Sequence, residues 1–134
     1  MRPSTMARLR DIVVDCHRPS ALARFWAELL DGYEVAPYDA AEVERLRGLG
    51  ILDVEDDPSV LVQPRSGVGP RLFFTLVPES KVVKNRVHMD VDTADVEGEL
   101  ARIVSLGGRE LQRFDDGHVI MADLEGNEFC VMPA

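Results

Sequence analysis

Lys84-Asn85-Arg86-Val87-His88-Met89-Asp90-Val91-Asp92 is the stretch that decides how this chain is read. Polar and apolar residues alternate through it, which is the period of a half-buried strand. Val87, Met89 and Val91 then share one face, and His88, Asp90 and Asp92 the other. The spacing predicts a strand over 87–91 and a helix from Thr93 to Leu106. That helix carries Leu100, Ile103, Val104 and Leu106 as its apolar stripe and stops at Gly107-Gly108.

The same order of elements occurs near the N-terminus. Arg8 to Cys16 alternates around a β-branched centre, Ile12-Val13-Val14, and reads as a strand buried on most of both faces. His17-Arg18-Pro19-Ser20 is a turn, and Ala21 to Leu30 places Leu22, Phe25, Trp26, Leu29 and Leu30 at helical spacing. A strand starts at Tyr33, and a shorter helix capped by Asp39 runs between Tyr38 and Gly50. Strands follow at Val60 to Gln63 and Arg71 to Val77, joined by the turn-rich Pro64 to Pro70. The second half continues with strands at Glu110 to Phe114, His118 to Ala122 and Glu128 to Met132, with Asp123 and Gly126 as turn residues. Leu30-Asp31-Gly32-Tyr33-Glu34-Val35 and Leu106-Gly107-Gly108-Arg109-Glu110-Leu111 fill one slot, 76 positions apart. A repeat of that period predicts an α+β fold in a single domain, 1–134. Paired βαβββ modules, about 8–77 and 86–134, would each give a four-stranded sheet, with helices outside and a cavity that His88 faces.

Composition excludes several classes of function. The longest apolar runs, such as Leu72-Phe73-Phe74, are far too short to span a bilayer, and Met1-Arg2-Pro3-Ser4-Thr5 has no apolar leader core. A cytoplasmic location is expected. Fifteen basic against 24 acidic residues give a net charge of −9, which repels nucleic-acid phosphate and anionic lipid and argues against both as partners. A small basic group (Lys81, Lys84, Arg86) is the local exception, and it reads as a solvated connector. Cys16 and Cys130 have no metal-ligand spacing and read as reduced thiols.

Three segments carry a family resemblance: Asp15-Cys16-His17-Arg18-Pro19 before Phe25-Trp26-Ala27-Glu28-Leu29-Leu30; Val77-Pro78-Glu79-Ser80-Lys81 with Lys84 to Val91; and Met121-Ala122-Asp123-Leu124-Glu125-Gly126-Asn127-Glu128-Phe129-Cys130-Val131. Through them the whole chain resembles the vicinal oxygen chelate superfamily, which includes glyoxalase I, bleomycin-resistance proteins and extradiol dioxygenases. More narrowly it is similar to glyoxalase-like proteins of high-GC actinobacteria. The resemblance implies the paired-module fold, a homodimer and a small-molecule ligand. Metal-dependent members place a ligand on the first and last strand of each module, and those slots hold Asp11, Thr75, His88 and Cys130 here. His88 fits that pattern. Asp11 stands where a histidine is usual, and Thr75 and Cys130 stand where a carboxylate is usual. Threonine is a poor ligand, so the nitrogen–oxygen metal site of a glyoxalase is not rebuilt.

The expected function is therefore a metal-independent binder that encloses an apolar or aromatic ligand. His88, Asp90 and Asp11 are the candidate polar anchors; Trp26, Phe74, Thr75 and Cys130 are the other candidate contacts. No cofactor is favoured. The alternative is an isomerase, lyase or dioxygenase that uses a divalent metal on His88 with Asp11 or Cys130, all competent ligands. Trp26 and Phe74 have a competing reading as core rings, and Cys130, between Phe129 and Val131, one as a small core hydrophobe.

Overall fold

The computed structural model describes residues 4–134. Met1-Arg2-Pro3, part of the stretch read above as lacking a leader core, lies outside them. The first half holds β1 (Asp11–Cys16), α1 (Pro19–Leu29), β2 (Tyr33–Val35), α2 (Ala40–Gly48), a short 3-10 turn (Val54–Asp56), β3 (Ser59–Pro64) and β4 (Arg71–Leu76). The second holds β5 (Asp90–Thr93), α3 (Val96–Ser105), β6 (Arg109–Arg113), β7 (Val119–Ala122) and β8 (Glu128–Pro133). They form two four-stranded mixed sheets, β1-β4-β3-β2 and β5-β8-β7-β6, in which only β1–β4 and β5–β8 run parallel. This is the expected α+β arrangement of paired βαβββ units. No helix among the described residues is long and apolar enough to cross a membrane.

The two sheets repeat one another down to single backbone bonds. Val77 N–H donates to the carbonyl of Cys16 at 2.9 Å, and Ala134 N–H donates to that of Thr93 at 2.9 Å. Stepping back along the paired registers from these bonds makes Asp11 the counterpart of His88, and Phe73 the counterpart of Cys130.

Local chemistry sets the element ends. α1 opens on Pro19, whose missing N–H costs nothing in the first turn. Asp39 and Asp95 cap α2 and α3 by accepting from Glu42 N–H and Gly98 N–H. The strand expected over 87–91 begins only at Asp90, and Asn85 upstream is held to β8 through side chains. Asn85 N–H donates to Glu128 Oε2 at 3.3 Å, and Glu128 N–H donates to Asn85 Oδ1 at 2.9 Å. In α3 the apolar stripe is narrower than the sequence spacing suggests: Leu100 and Ile103 are buried, while Val104 is exposed. The turn after α3 needs Gly107, whose φ of 109° is one that L side chains rarely adopt.

One core joins both halves. Leu22, Phe25, Trp26 and Leu29 of α1 pack with Val60, Val62, Leu72 and Phe74 of the first sheet and with Met121, Phe129 and Val131 of the second. The Trp26 and Phe129 rings meet edge to face, 4.9 Å between centroids, and Phe25 closes the trio at 5.7 Å from Trp26. The Trp26 indole N–H donates to Asp123 Oδ2 at 3.1 Å. Asp123 is 3% exposed, and its Oδ1 also accepts the backbone N–H groups of Glu125 and Asn127 at 2.9 and 3.0 Å. Next to it, both oxygens of Glu125 accept from the backbone of His17 and Arg18, ahead of α1. Arg102 of α3 donates to the carbonyls of Glu28 and Leu29 at the far end of α1.

Asp123→Ala is expected to destabilise the fold by about 3 kcal/mol, since several buried donors lose their acceptor together. Asp123→Asn, which keeps one acceptor oxygen, is expected to cost less. Urea unfolding followed by Trp26 fluorescence measures both, with an unchanged midpoint for the alanine variant counting against the assignment.

Candidate functional site

Each sheet has one face against the core and one open face, and the chemistry lies on the open faces. On the second sheet, Asp90 pairs with Cys130 across β5–β8, and Cys130 N–H donates to the carbonyl of Met89 at 3.0 Å. His88, two residues before the start of β5, shares the open face with Asp90, and its Nε2 lies 3.5 Å from Asp90 Oδ1. Ligand-competent atoms of His88, Asp90 and Cys130 all lie within 4.8 Å of one another. Burial raises the Cys130 thiol above its ordinary pKa, and the Asp90 carboxylate pushes it further in the same direction, against the pull of Lys84. Both effects disfavour the thiolate, the reactive form.

The strap of residues 77–89 that carries His88 is fastened at three points. His17 Nε2 contacts the carbonyl of Pro78 at 2.8 Å, Lys81 Nζ donates to Glu128 Oε1 at 3.1 Å, and Asn85 bridges to Asn127 and Glu128. Burial works to raise the Glu128 carboxyl, but Lys81 and two backbone donors outweigh it and hold the pKa below the usual value.

On the first sheet, Asp11 faces arginine. Arg71 donates from Nε and Nη2 to the two oxygens of Asp11 at 2.8 and 3.1 Å, and Arg10 Nε adds a third contact at 3.0 Å. The Arg71 guanidinium, followed by Arg10, holds the Asp11 carboxyl below the ordinary aspartate range. The Arg71 guanidinium also lies 5.3 Å over the Phe73 ring. Beside Phe73 is a hollow of about 680 Å³ between the open face and α2, with Phe73 and Leu61 on the sheet side and Tyr38 and Ala41 on the other.

Among the residues expected from sequence, His88, Asp90 and Cys130 come together and Asp11 does not join them. Its carboxylate is absorbed by Arg71 and Arg10 on the other sheet. Thr75 lies there too, its Oγ1 3.5 Å from Ser59 Oγ, and its register counterpart is Met132 rather than Cys130. Trp26 (2% exposed) and Phe74 (0%) are corrected to core positions: both side chains point to the covered faces. Phe73, the neighbour of Phe74, faces the hollow. Tyr38 and Asp57, joined by a 2.7 Å hydrogen bond beside that hollow, were not among the expected residues. Only the Pro37-Tyr38-Asp39 lead into α2 marked the first of them, as a helix start.

The four-position metal set of the superfamily does not fit this chain, with Asp11 neutralised by arginine and Thr75 a poor donor. A three-donor set of the kind that suits zinc remains on the second sheet alone.

Two open-faced sheets of paired βαβββ topology, with candidate ligands on the parallel strands, define the class. A family model described as glyoxalase-like domain matches residues 11–132. The chain belongs to the glyoxalase-like domain family. No curated protein matches the sequence. Among solved structures, the fold is similar to a glyoxalase/bleomycin resistance protein/dioxygenase family enzyme from Burkholderia phytofirmans PsJN (14% identity, TM-score 0.62, covering 95% of this chain and 98% of that one). It is similar also to hypothetical protein SA1046 from S. aureus (13%, 0.62, covering 98% and 100%). A third is the fosfomycin resistance protein FosX from Mesorhizobium loti (10%, 0.62, covering 96% and 92%). At these identities the likeness is one of fold.

Burial lifts the Cys16 thiol to about 12, helped by the Glu125 and Asp123 carboxylates. Neither cysteine of the native protein is therefore expected to react appreciably with iodoacetamide at pH 8, while both react fully after unfolding. Mass spectrometry of the two samples measures this, and rapid native alkylation of Cys130 would contradict the environment described.

Proposed function

We propose that this protein binds an apolar or aromatic small molecule on the open face of its first sheet, without a catalytic metal, and acts as a homodimer. The observation that carries the reading is the hollow of about 680 Å³ beside Phe73 and Leu61. Apolar side chains on an open sheet face next to a cavity of this size are what a ligand pocket requires. The unmatched metal quartet supports the metal-independent part. Val13 on β1 and Leu76 at the end of β4, each more than half exposed, support a partner surface along this edge. In a dimer, the His88 face of a second copy could close over the first sheet and add its polar groups to the same ligand.

A panel of bicyclic aromatic compounds is expected to raise the Tm. A ligand at a hundred times its Kd adds about 2.7 kcal/mol, several degrees for a domain of this length. Phe73→Ala should remove most of that shift while leaving the unliganded Tm nearly unchanged, because the ring is only partly buried. Sedimentation at twice the chain mass tests the dimer. A silent panel, or full binding by the Phe73→Ala variant, would end this reading.

The convergence of His88, Asp90 and Cys130 within 4.8 Å favours one second reading, a divalent-metal-dependent isomerase, lyase or dioxygenase. Protein purified without chelator and analysed for metal discriminates the two. One equivalent of metal, lost in His88→Ala, would place the second reading first; the metal-independent reading expects neither.

A further inference from the structure

The hollow beside α2 also has a polar side, and its hydrogen-bonding state restricts what can enter. Asp57, 4% exposed, borders it, and among the described residues no arginine or lysine forms an ion pair with it. Its Oδ1 accepts Ser59 N–H at 3.0 Å and its Oδ2 accepts the Tyr38 hydroxyl at 2.7 Å. The Tyr38 proton is thus committed to Asp57, and burial and that carboxylate both hold the phenol protonated above its usual range. What Tyr38 has left to offer is an oxygen lone pair. Asp39 and Glu42 add negative charge at the α2 side. Arg45 is the one cation on the wall, but its Nε and Nη2 donate to both oxygens of Glu42, at 3.1 and 2.6 Å. The carboxylates of Asp39, Glu42 and Asp57 outnumber the single guanidinium, and Asp57 and Tyr38 are left as acceptors. Opposite them stand the Phe73 ring and Leu61.

We propose that this hollow selects a protonated organic amine carried on an aromatic or apolar body, its N–H groups directed at Asp57 and the Tyr38 oxygen and its body on Phe73. The inference rests on the binding reading above and specifies the charge of the ligand. A buried carboxylate to which no described arginine or lysine is bonded can accept a charge-assisted hydrogen bond from an incoming ammonium, and the Phe73 ring, one side of which Arg71 covers, offers apolar surface to the body of the ligand. An anionic ligand would meet three carboxylates, and the guanidinium on that wall already pairs with one of them, Glu42.

Three probes that share one ring system separate the possibilities: 2-(naphthalen-1-yl)ethylamine, 2-(naphthalen-1-yl)ethanol and naphthalen-1-ylacetate, titrated calorimetrically at pH 7 and low salt. The amine is expected to bind about tenfold or more tighter than the alcohol, with the acetate weakest. Asp57→Asn should bring the amine down to the affinity of the alcohol and leave the alcohol unchanged. Should that variant fail to fold, Tyr38→Phe and Glu42→Gln should each reduce the preference for the amine over the alcohol, since Glu42 lies on an exposed helix. Equal binding of amine and alcohol would overturn the charge inference while the binding reading stands. A preference for the acetate would overturn it too. Binding of none of the three overturns both.

Discussion

The Asp123 carboxylate holds the two halves of this protein to one another. It is buried, and among the described residues its hydrogen-bond partner outside its own turn is the Trp26 indole of α1. Contacts with Glu125 and Asn127 keep the carboxylate pointed at that indole. A carboxylate placed this deep is tolerated because its oxygens are fully used. Trp26 in turn lies on Phe129 of the second sheet, so a polar bond and an aromatic contact lock the same pair of elements. With α1 fixed between the sheets through its covered side, both open faces are left available for chemistry.

Those faces are equivalent in register and unlike in chemistry. Asp11 and His88 occupy the same place in the two sheets, as do Phe73 and Cys130. On the first sheet the charge at that place is cancelled by Arg71, whose guanidinium also covers one side of the Phe73 ring. On the second sheet His88 and Asp90, both half exposed, face one another at 3.5 Å beside a thiol whose pKa burial raises. One face thus suits an apolar body, and the other keeps groups that can exchange protons or hold a cation.

Most of the fold was legible in the sequence because it is written in periods. Alternation in Arg8 to Cys16 and in Val87 to Asp92, helical spacing from Leu22 to Leu30, and the Gly-terminated repeat of Leu30 and Leu106 are local signals. The placement of His88 with Asp90 on one face followed from the same alternation. Side-chain choices between adjacent positions were less legible. Phe73 and Phe74 alternate faces equally well in either direction, and only the packing of α1 on β3 and β4 assigns Phe74 to the core. Likewise, nothing in the letters Asp11 and Arg71, 60 positions apart, announces that β1 and β4 pair in the register that joins them. Asp123 read as a turn residue, which it is. Its second role depends on a tryptophan 97 positions earlier, brought to it only by the tertiary fold.

α2 has no counterpart in the second half, where β6 and β7 are joined by a short turn at Asp115-Asp116-Gly117. This helix of nine residues buries only Leu46 deeply, so the shared core scarcely relies on it. Yet it and the residues leading into it supply much of one wall of the hollow. Substitutions in that wall therefore carry little penalty in foldedness, whereas those elsewhere in the first sheet are restrained by packing. Descendants of one such ancestor would share a scaffold and diverge first in what they recognise.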